Sequence, residues 1–345
     1  FMKKETLNSE GFIAKSDIVI ENGVMTPEAL LAFGRLSDPQ VSPDGKLLIY
    51  GVSYTSTEDN RSCRNLYISN LDGSDSQLLT KSGKSISNAR WSSNGEYIIY
   101  LKGGQIHISG LVLTEDGWTL RGERKVSDIP AGISEFKISP DESKVMYVSY
   151  VKSHVDKPSD KYSDLDKATA YTTDDLMYRH WDHTVLEIPH TFVAAFDLGM
   201  EGNAITADAS TDILAGEKEL YELPTEPFGG IEQLDWSPDS RHIAYSCRKL
   251  AGKKYAFSTN TEIYIYNIET GESSVIDMKG GYDTDPVWSP DGSKIAWISM
   301  ERDGYEADKQ RLMVAYVDWT EGAPKVWGIT DVTEDFKYNA AGPSW

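Results

Sequence analysis

The chain has 345 residues, 39% of them hydrophobic and 11% aromatic, enough for a large core or two modest ones, which excludes a disordered protein. With 34 Lys and Arg against 54 Asp and Glu, the net charge of −20 repels phosphate backbones and anionic membranes and leaves no basic stripe for nucleic acid. No apolar run approaches the roughly 18 residues of a membrane span, and Cys63 and Cys247 lie far apart in sequence, so two unpaired thiols are expected.

Residues 1–24 carry no sustained period and are expected to form an arm or an early edge strand. Phe1-Met2-Lys3-Lys4 leads into no apolar stretch of a signal peptide. A Met behind a Phe points to a processed or engineered start. The expected compartment is therefore periplasmic or extracellular if an export signal has been removed, and cytoplasmic otherwise. A helix follows, with Thr26 as N-cap, Pro27 at its first position, Glu28 in its first turn and Gly34 as its stop.

The chain is then organised by one turn. Val41-Ser42-Pro43-Asp44-Gly45 returns as Trp91-Ser92-Ser93-Asn94-Gly95, Ile138-Ser139-Pro140-Asp141-Glu142, Trp236-Ser237-Pro238-Asp239-Ser240 and Trp288-Ser289-Pro290-Asp291-Gly292. Each copy is followed by an apolar run suited to a strand, so the unit is a hairpin: Pro sets φ, Asp bonds the backbone ahead and Gly accepts positive φ. The serines are separated by 50, 47, 98 and 52 residues, three single repeats and one of double length. A second strand pair follows within a repeat, as in Asn65–Asn70 turning at Leu71-Asp72-Gly73 into Gln77–Thr80.

Four short antiparallel strands per repeat of about 50 residues predict an all-β protein, a β-propeller of four-stranded antiparallel blades. Expected blades are 38–82, 86–127, 133–228, 231–278 and 283–331 within a propeller over 25–345. The third carries an insertion at 152–189 and a sixth starts at 336–345. Trp345 sits where the residue before a sixth anchor serine belongs, so the ring, expected to be seven-bladed, is incomplete and the natural chain is expected to continue. The recurring Trp91, Trp236, Trp288 and Trp345 are expected to pack between blades rather than stack on a ligand.

Chemistry is sparse. There is no Gly-x-Ser-x-Gly nucleophile elbow, no His-Glu-x-x-His and no zinc knuckle. Neither a metal nor a cofactor is expected, His180 and His183 alone being too few ligands. Gly103-Gly104 and Gly229-Gly230 read as turns. The insertion segment Tyr171–Asp182 reads as a short helix. In one reading Thr173 caps it, Asp174 and Asp175 complement its positive end, and Leu176, Met177 and Trp181 pack inward. In the other, Asp174, Asp175 or Asp182 pairs with a cation such as a peptide's α-amine, Tyr178 and Trp181 wall a pocket, and Arg179 holds a carbonyl or carboxylate.

Met25-Thr26-Pro27-Glu28-Ala29-Leu30 leading to Asp38–Gly45, the Ser-Pro-Asp-Gly series, and Leu176-Met177-Tyr178-Arg179-His180-Trp181-Asp182 together resemble the N-terminal propeller of S9 (prolyl oligopeptidase) family serine peptidases, on the dipeptidyl-peptidase 5 and acylaminoacyl-peptidase-like side. The resemblance spans about residues 25–345. It implies a partner C-terminal α/β-hydrolase domain of the same polypeptide that carries Ser, Asp and His, a short peptide as substrate, and a propeller that gates its entry; a homodimer is left open. No catalytic residue of that family falls in this sequence, and the double-glutamate motif of its dipeptidyl peptidase IV relatives is not recognised in it. The other reading is a TolB-like propeller acting as an interaction scaffold without catalysis.

Overall fold

The computed structural model describes residues 11–319 and 324–345; the first ten residues of the expected arm and residues 320–323 lie outside them. The rest of the arm, 11–24, has no regular structure. Thr26 caps the helix Pro27–Ala32, its Oγ1 accepting from Ala29 N at 3.2 Å. The helix ends as Phe33 turns extended, and Gly34 lets the chain pass close to the next strand pair, where a Cβ would meet Val52 and Tyr54 at 2.8 and 2.9 Å.

Five four-stranded antiparallel sheets follow, each with its strands in sequence order. Sheet I is Arg35–Val41, Leu47–Ser56, Arg61–Asn70 and Gln77–Leu78, and sheet II is Ile86–Trp91, Tyr97–Lys102, Gln105–Thr114 and Gly117–Lys125. Sheet III is Glu135–Ile138, Lys144–Lys152, Glu187–Ala195 and Ser210–Asp212. Sheet IV is Leu234–Trp236, His242–Cys247, Glu262–Asn267 and Ser273–Ile276, and sheet V is Tyr282–Trp288, Lys294–Met300, Arg311–Asp318 and Lys325–Asp331. The chain divides into two compact units, one running to Ile133 with Asp197–Ala207 added, the other Ser134–Phe196 with Asp208–Trp345. In the first, Ile49, Leu66 and Ile68 of sheet I pack with Ile86, Ile98 and Tyr100 of sheet II. In the second, Met146, Val148 and Val193 of sheet III meet Leu234, Ile243 and Tyr245 of sheet IV, and Ile263 and Ile265 of sheet IV meet Ile295 and Trp297 of sheet V.

The recurring turn has one geometry in all five places. The Ser hydroxyl donates to the Asp or Asn two residues on at 2.5–2.7 Å and accepts from the backbone N–H five residues on at 2.9–3.0 Å. The fourth position is left-handed throughout: φ is +72° at Gly45 and Gly95, +71° at Gly292, +56° at Glu142 and +58° at Ser240. Side-chain bonds therefore fix a conformation that two copies adopt without glycine.

Upstream of the turn the first strand bulges where a residue is left-handed, Asp38, Asn88 and Asp285 with φ of +50°, +52° and +54°. Gly342, with φ +59°, occupies the equivalent place before Trp345. The Trp indoles stitch neighbouring repeats: Trp91 Nε1 donates to Gln40 O at 3.0 Å, Trp236 to Lys137 O at 3.1 Å and Trp345 to Val287 O at 3.2 Å. Trp288 instead packs its ring on Trp319, 5.3 Å between centroids. Both cysteines are free and buried.

The helix expected at Thr173–Asp182 does not form. Thr173 Oγ1 accepts from Asp175 N at 3.1 Å and Asp175 Oδ1 from Leu176 N at 2.6 Å, local bonds that compete with helical ones. The chain then makes a hairpin, Arg179–His180 with His183–Thr184, whose turn holds Trp181 at φ +46°. Helix in this insertion is confined to the single turn Pro158–Lys161.

Candidate functional site

The insertion reaches the body of the second unit through its apolar residues. Met177, Val185 and Ile188 are buried together, with Val151 and Tyr255 against them. This places the hairpin so that His180 Nε2 lies 2.7 Å from Glu222 Oε1. Glu222 is 2% exposed. Its segment runs along the third strand of sheet III, Leu223 N donating to Pro189 O at 2.9 Å and Thr191 Oγ1 to Leu223 O at 3.1 Å. The other carboxylate oxygen accepts from Tyr255 O–H at 2.7 Å and from Glu226 N at 3.3 Å. Tyr255 comes from the short helix Lys253–Phe257.

Above this buried carboxylate lies a cleft of about 380 Å³, lined by His180, Glu226, Phe228, Arg248, Tyr255 and, from sheet V and the loop after its second strand, Tyr282, Met300, Arg302 and Tyr305. Glu226 Oε1 accepts from Tyr150 O–H at 3.1 Å, and its other oxygen has no hydrogen-bond partner among the described residues. The loop that carries Glu226 closes tightly: a Cβ at Gly229 would meet Thr225 O at 2.4 Å. Arg248 stacks its guanidinium 4.8 Å above the Tyr255 ring, and its buried Nε has no acceptor. Arg302 lies 4.1 Å over Tyr305 and is neutralised by Asp308 at 2.9 and 3.1 Å.

Titration follows these contacts. The hydrogen bond to Glu222 holds the His180 imidazole above its usual value against the opposing effect of burial. Burial, reinforced by Glu222, pushes the Tyr255 phenol far up, and burial with Glu226 raises Tyr150 to about 12. The site thus presents a carboxylate, a guanidinium and aromatic walls. It can bind and orient a small charged ligand, and it contains no nucleophile paired with a base. Among the described residues, no group of three or more His, Cys, Asp or Glu side chains is placed to hold a metal ion.

The residues singled out from sequence lie outside the lining. Asp174 is exposed and Asp175 half-buried, and Asp182 projects a 95%-exposed side chain beside His183. Tyr178 is 44% exposed, and Arg179 turns back to donate to Trp181 O at 2.7 Å. Trp181 stands edge-on to Phe228 of the cleft, 5.1 Å between centroids. The structure brings in His180, considered from sequence only with His183, and five residues that sequence reasoning passed over: Glu222, Glu226, Arg248, Tyr255 and Arg302. Their one legible signal was Glu222-Leu223-Pro224-Thr225-Glu226-Pro227, two acids amid prolines in the segment that carries the double-length repeat.

No family model matches the chain. It is 41% identical over 324 residues to dipeptidyl-peptidase 5 of Porphyromonas gingivalis, covering 93% of this chain and 44% of that protein. It is 37% identical over 295 residues to dipeptidyl-peptidase 5 of Porphyromonas endodontalis, covering 85% and 41%. In fold it is similar to the acylaminoacyl peptidase of Pyrococcus horikoshii, with a TM-score of 0.56, 14% identity, and coverage of 91% of this chain and 41% of that one. The chain spans less than half the length of these relatives. With its sequence likeness to the dipeptidyl-peptidases 5 and a propeller-like all-β fold of repeated four-stranded sheets, the chain resembles the propeller of S9 (prolyl oligopeptidase) family serine peptidases.

Proposed function

We propose that this chain is the substrate-selecting propeller of a dipeptidyl-peptidase-type S9 enzyme and that the cleft above Glu222 receives the amino end of a short peptide. In this reading the five sheets are blades of a larger ring, a further α/β-hydrolase domain of the same polypeptide supplies Ser, Asp and His, and the propeller admits peptides while excluding folded proteins. Coverage of only 44% of a relative named for dipeptide release supports the extra domain. The insertion hairpin forms the rim, with Trp181 braced on Phe228. Asp174, Asp175 and Asp182 give the approach a negative field that draws an α-ammonium group inward.

The observation that carries the reading is the Glu226 oxygen that no described residue bonds, above a buried carboxylate that His180 and Tyr255 hold still. A charge-assisted bond from an ammonium group contributes about 1.5–3 kcal/mol. In the full-length protein, Glu226→Gln is expected to raise KM for unblocked dipeptidyl substrates roughly 10- to 100-fold and to leave N-blocked substrates unaffected. Equal effects on both substrates would refute it. A serine-directed fluorophosphonate probe tests the catalytic half: folded full-length protein that takes no label would favour a non-catalytic scaffold.

A further inference from the structure

We propose that the cleft is two-ended and retains a free dipeptide as its zwitterion, Arg248 taking the terminal carboxylate while Glu226 takes the amine; this rests on the reading above and adds its second anchor. The two arginines of the cleft differ. Arg302 has its charge matched by Asp308. Arg248 has no carboxylate within ion-pair distance among the described residues, and its Nε is buried without an acceptor. Glu226 likewise has a tyrosine hydroxyl for a partner and, among the described residues, no cation within ion-pair distance, though its charge helps to raise His180. Both line the same space, yet they form no ion pair with each other.

An ammonium ligand alone would satisfy Glu226 and leave Arg248 short of an acceptor in a desolvated setting, which is costly. A ligand bearing both charges satisfies both, and a guanidinium fork matches a carboxylate in two parallel bonds. About 380 Å³ lies near the low end of small-molecule sites, a volume for a di- or tripeptide. Tyr282 and Met300 offer its side chains apolar wall. When water adds across the second peptide bond of a substrate, the C–N bond breaks, the water oxygen enters the new carboxylate and both water protons end on the leaving amine, which departs as an ammonium. The dipeptide so released has the two charged ends that Glu226 and Arg248 address. The site is therefore placed to hold product, and free dipeptide is expected to inhibit hydrolysis.

The test is calorimetric titration of the full-length protein with Ala-Ala, with alanine N-ethylamide, which keeps the amine and lacks the carboxylate, and with N-acetyl-Ala-Ala, which lacks the amine. Alanine N-ethylamide is expected to bind about 10- to 100-fold more weakly than Ala-Ala. Arg248→Gln is expected to bring Ala-Ala down to the same level while leaving alanine N-ethylamide within about twofold. Arg248→Lys keeps the charge over Tyr255 and should fall between them; it decides the matter if Arg248→Gln does not fold. Equal binding of Ala-Ala and alanine N-ethylamide, or a ratio that survives Arg248→Gln, overturns this inference alone. A carboxylate preference that depends on Arg248, with N-acetyl-Ala-Ala binding as well as Ala-Ala, overturns the amine reading alone. No binding of any ligand at millimolar concentration overturns both.

Discussion

Replacing Glu222 by Gln alters one atom in a group that accepts from His180 and Tyr255 through different oxygens, both at 2.7 Å. The amide has a single acceptor oxygen, so either imidazole or phenol meets an NH2 group, and both lose a charged partner. Hydrogen bonds to charged groups contribute about 1.5–3 kcal/mol against 0.5–1.5 kcal/mol for neutral ones. Two such downgrades cost about 2–3 kcal/mol in total, undiminished by solvent because the Glu222 and His180 side chains are 1% and 11% exposed. The cost depends on pH in a fixed direction. His180 is raised by Glu222, so its charged pairing stabilises fully below the unfolded value of about 6.5 and is lost as pH rises through the higher folded value. Urea unfolding followed by tryptophan fluorescence, wild type against Glu222→Gln from pH 5.5 to 9, should show the difference shrink toward about 1 kcal/mol, the part owed to Tyr255. A difference that is flat, or that grows with pH, refutes the assignment of Glu222 as the organiser of the cleft.

Ser92→Ala removes a fully buried hydroxyl that bonds Asn94 and Tyr97 N and should cost about 1–2 kcal/mol in urea unfolding. Glu142→Gly places glycine where φ is +56° and where three sister turns already have it; a gain of about 0.5–1 kcal/mol is expected in the same assay. Burial pushes the Cys247 thiol up to about 12, so native protein at pH 8 should leave it unlabelled by iodoacetamide and urea should expose it. Asp291 is held down to about 2 by Ser289 and Ser293, so its contribution is present above an unfolded value of about 3.9 and should vanish as pH falls through 2; Asp291→Asn should flatten that part of an acid titration.

The sheets were legible because their signal is local and repeated. The Ser hydroxyl, the Asp or Asn side-chain oxygen and the left-handed fourth residue act within six residues, so five copies could be read from sequence with the apolar strands they join. The indole bonds of Trp91, Trp236 and Trp345 follow from the same repeat, because equivalent positions in neighbouring repeats meet equivalent carbonyls. The helix at Thr173–Asp182 failed for the opposite reason. Its capping residues bond their own backbone, and what holds the segment down is distant: Met177 packs near Tyr255, and His180 binds Glu222. Of the acids grouped in sequence at 174–175, Asp174 is exposed and Asp175 only half-buried, whereas Glu222, isolated among apolar residues, became the buried carboxylate.

The cleft could not be read in the same way because it has no period. Tyr150, His180, Glu226, Arg248, Tyr255 and Arg302 come from separate strands and loops of sheets III, IV and V, and only the folded register brings them together. Net charge misleads at this scale. A chain at −20 repels polyanions as a whole, yet the field inside a small cleft is set by the few groups that line it. Arg302 is cancelled by Asp308 within that cleft and Arg248 is not. The unbalanced cation thus sits where overall composition argues against an anion, and its nearest stacking partner is the Tyr255 ring whose hydroxyl bonds Glu222. Tyr255 therefore serves the buried carboxylate and the guanidinium, whereas the side chain of the amine anchor Glu226 is held separately by Tyr150, so removing the guanidinium is expected to weaken recognition of a carboxylate and leave recognition of an amine in place.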